Sequence, residues 1–292
     1  MYSILKKEVN SFFSSPIAYL VIGVFLLVNG LFLWVFKDNF NVLNAGFADL
    51  SSFFYLTPWL FLFLIPAITM KSFADELNSG TIEILKTKPV TDWQIVLAKF
   101  FASLLLVCVA LIPTLTYVYT VYVLGNPVGN LDIGSTVGSY LGVFFLAATY
   151  TSIGLFTSTL SKNQIVAFIL SIFITFILFY GFEYIESLNF FKDNFKLFLI
   201  LFIFIFIIVS LFTPNITIFP TLSYLLRALI TYVLHYIIKE YMDVSNHLLQ
   251  QLGINEHFKS ISRGVIDTRD VIYFCSVIVF FLFITKQQLK NE

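Results

Sequence analysis

Few residues in this chain could do chemistry, and one passage gathers several of them. ELNSGTIEILKTKPVTDWQIVLAKF, residues 76–100, places Glu76, Glu83, Lys86, Lys88, Asp92 and Lys99 between two almost purely apolar stretches. Charges gathered in this way can serve catalysis, nucleotide binding or contact with a partner, and the rest of the chain decides among these. There is no GxxxxGK[ST] loop to cradle phosphates and no HExxH pair to hold zinc. His235, His247 and His257 share no metal-ligand spacing within one element and read as ordinary polar residues. Cys108 and Cys275 lie inside apolar runs, which suits packing better than a disulfide or a metal pair. We therefore expect no catalytic residue, no metal site and no cofactor, and read the charged passage as a surface for a partner.

The elements that must position this passage follow from composition. Of 292 residues, 59% are hydrophobic, 36 are phenylalanine and only 12% are charged, against roughly 25% charged in soluble domains. The mean hydropathy is +0.90. A soluble globule cannot cover that much apolar surface, so lipid must do so. The formal net charge is zero, which gives no field for nucleic acid. The start, MYSILKKEVNSFF, lacks a small-residue cleavage site, so the first apolar segment is expected to remain as an anchor.

About 20 apolar residues cross a bilayer as helix. The expected spans are Ile17–Phe36, Phe53–Met70, Leu97–Val123, Val137–Leu160, Ile165–Phe182 and Val271–Thr285. Lys6 and Lys7, then Lys71, Lys86, Lys88 and Lys99, then Lys162, then Lys286 and Lys290 all fall on one side if these spans alternate. The positive-inside rule makes that side, and both termini, cytoplasmic. Two further apolar stretches, Leu197–Phe212 and Ile216–Ile238, must both cross or both stay out, since one crossing alone would strand the C-terminal lysines outside. Ser223, Arg227, Thr231, His235 and Lys239 form a polar stripe on the second stretch, suited to an interfacial helix or to a span facing protein. The reading favours a spanning hairpin. The fold class is thus all-α and polytopic: six core transmembrane helices, an inserted hydrophobic hairpin and an N-terminal amphipathic helix. Ile4, Leu5, Val9, Phe12 and Phe13 give that first helix its apolar face, with Lys6 and Lys7 at the membrane surface.

Local signals give the charged passage a shape. Gly80 and Pro89 bracket a short helical segment, Thr81–Lys88, with Thr81 as its expected N-cap and Ile82 and Leu85 as its apolar contacts. Thr91-Asp92-Trp93-Gln94 fits a capping box, with Val90 and Ile95 placed as a hydrophobic staple. The third span is thereby launched at a fixed angle, and Lys99 lies within snorkelling reach of the cytoplasm. Pro113 should kink that span. Gly134, Gly138 and Gly142 form two GxxxG steps on one face of the fourth span, for close packing inside the chain or between subunits; Gly23 and Gly30 share a face of the first. The six clear spans carry essentially no ionisable group at mid-depth, which leaves ion-coupled transport without a seat.

With these residues in place, the chain resembles the permease subunits of type-2 ABC transporters. DELNSGTIEILKTKPVTDWQIVLAKF is similar to their loop after the second span, where E-x-x-x-G-T-[IL]-E-x-L-x-[ST]-x-P recurs. The matching positions are Glu76, Gly80, Thr81, Ile82, Glu83, Leu85, Thr87 and Pro89. KKEVNSFFSSPIAYLV and HFKSISRGVIDTRDVIYF also look like this family, and most like its gliding-motility permeases. The resemblance covers roughly residues 1–187 and 255–292, with 188–254 an insertion of uncertain topology. It implies one transmembrane domain over 1–292, with an interfacial helix at 1–15 and a cytoplasmic coupling loop at 71–96.

The same resemblance implies that ATP hydrolysis belongs to a separate cytoplasmic ATP-binding subunit. Glu76, Gly80, Thr81, Glu83, Leu85 and Pro89 would then couple to that subunit, with the turn Ser161–Gln164 as a second contact. The remaining partners would be membrane lipid and a second copy or a second permease-like protein, in a bacterial inner membrane. Residues 261–270 fall outside and read as solvated loop or as an accessory contact. Two functions follow: an exporter supporting gliding motility and secretion, or an ATP-driven assembly component that moves no solute. Topology is testable directly. A spanning hairpin puts a cysteine at Pro214 inside and one at Ser245 outside; labelling of both by an impermeant reagent from outside contradicts it.

Overall fold

A computed structural model of the chain describes residues 1–37, 40–44, 46–187 and 251–291. The hairpin expected over Leu197–Phe212 and Ile216–Ile238, with His235 and His247, lies outside these. The chain divides into two compact units, Met1–Phe176 with His257–Lys290, and Ile177–Glu256. No strand occurs among the described residues. Among the described residues, six helices are long and apolar enough to cross a membrane: Ala18–Val35, Ser51–Ser79, Asp92–Leu124, Ile133–Thr159, Gln164–Tyr184 and Thr268–Lys290. Each corresponds to one expected span, and the second, third and sixth run well beyond it.

α1 (Tyr2–Ser14) precedes α2 (Pro16–Gly30), with the proline at the first helical position, where its missing N–H costs nothing. The second span is α3 (Ser51–Thr69), which passes through Met70 into α4 (Lys71–Ser79) with little change of backbone. Gly80, at φ 68°, turns the chain sharply into α5 (Thr81–Lys86). Only a residue without Cβ takes that conformation cheaply. Thr81 is therefore not the N-cap that its sequence position suggests. The left-handed glycine occupies the cap, and the Thr81 hydroxyl sits 2.9 Å from that of Ser79 instead.

Past Pro89, the expected capping box is present. Thr91 accepts from the Gln94 backbone N–H, and Gln94 accepts from that of Thr91. It opens α6 (Asp92–Leu111), which tightens into a 3₁₀ turn at Ile112–Thr114 and resumes as α7 (Leu115–Leu124). Pro113 is the cause, because it cannot donate and crowds the preceding turn. Thr114 donates to the Leu111 carbonyl at 2.7 Å and Thr116 to that of Pro113 at 2.7 Å.

α8 (Ile133–Thr159) is the most buried span and packs chiefly on α3 and on α9 (Gln164–Phe176). Its small residues explain how backbones come that close. A Cβ on Gly154 would lie 2.1 Å from Thr69 Oγ1 and 2.9 Å from Thr69 Cβ. At the other end of α8, Gly138 and Gly142 face the chain just past α11 (Ile254–Ile261). A Cβ on Gly138 would sit 2.5 Å from the Gly264 carbonyl oxygen, and one on Gly142 would sit 2.8 Å from Ile261 Cγ2. Gly264 has φ 85°, and a Cβ there would meet Ser135 Cα at 2.2 Å. Gly134 meets only its own helix cap, Asp132, and Gly23 and Gly30 have nothing within 4 Å. Two of the three fourth-span glycines thus serve contacts inside this chain, and the first-span pair meets nothing among the described residues. Ser139 and Ser135 reinforce the junction by donating to the carbonyls of Ser262 and Arg263 at 2.8 and 3.1 Å.

The last span, α12 (Thr268–Asn291), packs on α8 through Phe145–Phe274 and Phe156–Phe281. In the second unit, α10 (Phe182–Ser187) carries Glu183, which accepts from Asn255. Cys108 and Cys275 are both free thiols.

The glycine contacts set an expectation. Gly138→Ala pushes a methyl into backbone that cannot yield, and should cost about 1–3 kcal/mol. Gly23→Ala, facing open space, should leave the melting temperature of the purified protein unchanged. Equal melting of the two variants would contradict this packing.

Candidate functional site

The lysine-rich segments meet at one end of the bundle. Lys86 donates to the Leu289 carbonyl, which ties α5 to the end of α12. Lys286 lies 5.4 Å from the centre of the Trp93 ring, at the start of α6. Gln164, the first residue of α9, donates to Asp75 of α4. The candidate second contact, Ser161–Gln164, therefore lies beside the charged passage.

At the centre of this end is Lys99. It sits on α6 eight residues beyond Thr91, or about 12 Å along the helix, and its side chain is 1% exposed. The sequence places it where it could snorkel to water, yet its ammonium turns inward. It donates to Glu8 Oε1 of α1 at 2.9 Å and to the Ser72 carbonyl of α4 at 2.6 Å. Glu76 Oε2, also on α4, lies 3.1 Å away as an ion pair, but off the hydrogen-bonding direction. The Phe73 ring centre is 5.0 Å from the same nitrogen. Lys7 reaches the other oxygen of Glu76 at 3.4 Å from a largely exposed position, so solvent screening makes that outer pair weak.

One buried amine thus holds three elements: the N-terminal helix, the segment after the second span and the third span. Each is brought there by its sequence. Glu8 lies between Ile4 and Phe12 at four-residue spacing, on the face of α1 that packs inward. Ser72, Phe73 and Glu76 share the inner face of α4, where Ser72 and Phe73 are buried. Two carboxylates around one desolvated ammonium make the cluster sensitive to loss of any member. Removing one partner of a buried pair costs about 3–5 kcal/mol, because the other charge is left uncompensated.

The remaining residues of the charged passage face outward. Gly80, Thr81, Glu83, Thr87, Lys88 and Pro89 are exposed, Leu85 is half-buried, and Ile82 is 4% exposed and anchors α5 from beneath. Ile84 stands 63% exposed beside Glu83. Of the residues expected to act together, Gly80, Thr81, Glu83 and Pro89 share one outer surface, whereas Glu76 points into the ion cluster. Lys6 is exposed on α1, and Lys7 is exposed next to Glu76. Sequence reasoning missed Glu8, Lys99 and Ile84. A carboxylate on an apolar helix face and a lone lysine in an apolar span were the available signals for the first two. No group of histidine, cysteine or acidic residues that could hold a metal ion occurs among the described residues.

A model of the family described as "ABC-2 family transporter protein" matches residues 2–285. No curated protein matches the chain. The match covers nearly the whole length, and the chain belongs to the ABC-2 transporter family. It is accordingly a multi-pass membrane subunit of an ABC transporter, of a kind that pairs with an ATP-binding subunit.

The cluster predicts a specific pattern of stability. Lys99→Met alone should destabilise the folded protein by about 3–5 kcal/mol. The triple change Lys99→Met, Glu8→Gln and Glu76→Gln should recover most of that loss, since no uncompensated charge remains. A triple variant no more stable than Lys99→Met would show that the amine is not held by these carboxylates.

Proposed function

We propose that this chain is the transmembrane subunit of an ATP-driven exporter whose cytoplasmic ATP-binding partner docks on the outer face of α5. The observation that carries the reading is the two-sided build of the segment 71–89. Its inner side is bound to α1 and α6 through Lys99, while its outer side presents Glu83, Ile84, Thr87 and Pro89 to solvent. An exposed isoleucine amid polar neighbours suits a docking anchor, since aliphatic and aromatic groups carry contacts that exclude water.

Closure of the ATP-binding partner would push on α5. Gly80 allows a sharp corner between α5 and α4, and the push passes into the ion cluster. From there it reaches α6, whose first turn is fixed by the Thr91–Gln94 box, and α1, which lies along the membrane surface. The chain supplies no group for phosphate chemistry in this scheme, and hydrolysis takes place wholly in the partner. A second copy or a second permease-like chain would complete the pathway. The charged end is cytoplasmic, by the distribution of lysines, and the membrane is the bacterial inner membrane.

The resemblance of residues 1–187 and 255–292 to gliding-motility permeases is what supports a role for the exporter in gliding, with secretion as its output. A second reading keeps the docking and removes the cargo: the stroke remodels envelope machinery. ATP hydrolysis in reconstituted vesicles separates the two, being substrate-dependent for an exporter and dependent only on a protein partner for an assembly component.

Docking on α5 predicts that Glu83→Lys and Ile84→Asp each reduce capture of the ATP-binding subunit from mild detergent by at least tenfold, with membrane insertion intact. Capture at the wild-type level by both variants would remove α5 from the interface.

A further inference from the structure

Beside the ion cluster is a cavity of about 370 Å³, which the proposed docking does not use. It lies within the range of small-ligand sites, and its lining changes character along its length. One end is formed by the inward faces of α1 and α4 and carries Lys7, Glu8, Lys71, Ser72, Asp75 and Glu76. The other end is formed by Ala18, Val21, Ala67, Ile68 and Leu106 from the first three spans. Leu106 is seven residues, or about 10 Å, beyond Lys99 along α6. The polarity gradient therefore runs along the spans, from the charged end toward the bilayer interior.

Two groups in this cavity have no partner among the described residues. Ser72 is 4% exposed, and its hydroxyl makes no hydrogen bond. Lys71, one residue away, makes no hydrogen bond or ion pair among the described residues. An amine beside an unpaired buried hydroxyl is a donor pair for a phosphate oxygen. The lining as a whole carries Lys7, Lys71 and Lys99 against Glu8, Asp75 and Glu76, so its formal charge is zero. Glu8 and Glu76 are committed to Lys99 and Lys7. That leaves Lys71 and Asp75, whose Oδ1 also accepts from Gln164, as a plus and a minus on successive turns of α4. Such a site repels a multiply charged anion and suits a phosphate carrying its own ammonium.

We propose that this cavity binds one zwitterionic aminophospholipid. Its phosphate is held by Lys71 and Ser72, its ammonium by Asp75, and the start of one acyl chain lies against Val21, Ile68 and Leu106. The volume admits a headgroup and part of a chain, with the remainder in the bilayer. The lipid would brace the corner between α1 and α4 where the ion cluster is most exposed. This rests on the membrane-subunit reading and not on where the ATP-binding subunit docks.

The test is native mass spectrometry of the full-length purified protein equilibrated in detergent with dioleoyl phosphatidylethanolamine or dioleoyl phosphatidylglycerol. Wild type should retain one phosphatidylethanolamine per chain, at least fivefold over phosphatidylglycerol. Lys71→Gln and Leu106→Trp should each reduce retention at least fivefold, and Lys71→Arg should keep it. Inorganic phosphate alone should leave the melting temperature unmoved.

Equal retention of the two lipids would overturn the proposal, as would unchanged retention in both Lys71→Gln and Leu106→Trp. Stabilisation by inorganic phosphate would assign the cavity to a soluble anion instead. Displacement of lipid by the ATP-binding subunit, with capture lost in the cavity variants, would assign it to a protein segment. Capture of that subunit by the same variants is read separately, so lipid binding can fail with docking intact, and docking can fail with lipid retained.

Discussion

A lysine ammonium cannot stay inside an apolar bundle without partners, and Lys99 is inside one. Desolvating a single charge costs several kcal/mol even after relaxation, so something had to be brought to it. Glu8 and Glu76 meet that requirement, from 91 residues upstream in the one case and from α4 in the other. The consequence is mechanical. α1, α4 and α6 cannot separate without exposing an unpaired charge to hydrocarbon, so the end of the bundle that bears the charged passage behaves as one block. The capping box at Thr91 fixes the start of α6 in the same block, Gln164 ties the start of α9 to α4, and Lys86 ties α5 to the end of α12.

The far end of the bundle is held by a different device. There the contacts are made by backbone against backbone, at Gly138 with Gly264 and along Ser135 and Ser139. Lipid offers no hydrophobic drive between helices, so close approach and interhelical hydrogen bonds must hold them together. Gly154 against Thr69 extends the same principle toward the charged end. Stiffness at both ends suits a subunit that receives movement rather than producing it. A push on α5 would arrive at spans that shift as bodies, with Gly80 as a corner between them and the docking surface.

The spans were legible in the sequence because run length and hydropathy are local properties, and the capping box was legible because it is complete within four residues. The second span continues into α4 because nothing between Thr69 and Lys71 breaks a helix, although composition there turns polar. Thr81 was misread as a cap because residue preference alone does not reveal that Gly80 has taken a left-handed conformation. Lys99 was the larger miss. An isolated lysine near a span end ordinarily reaches for water, and only the fold brings Glu8 to it. The acid on the apolar stripe between Ile4 and Phe12 was the visible sign that α1 had to meet a buried cation.

The claim on which the rest depends is that α1 and α4 move together on Lys99, carrying α5 with them, when the ATP-binding partner closes. Electron–electron resonance between spin labels at Lys6 and Thr87 measures this in the reconstituted complex, with and without a trapped nucleotide, against a third label at Val128 at the opposite end. The account predicts that the Lys6–Thr87 distance stays constant while both shift relative to Val128. A change in the Lys6–Thr87 distance on nucleotide trapping, with Lys99 intact, would contradict it.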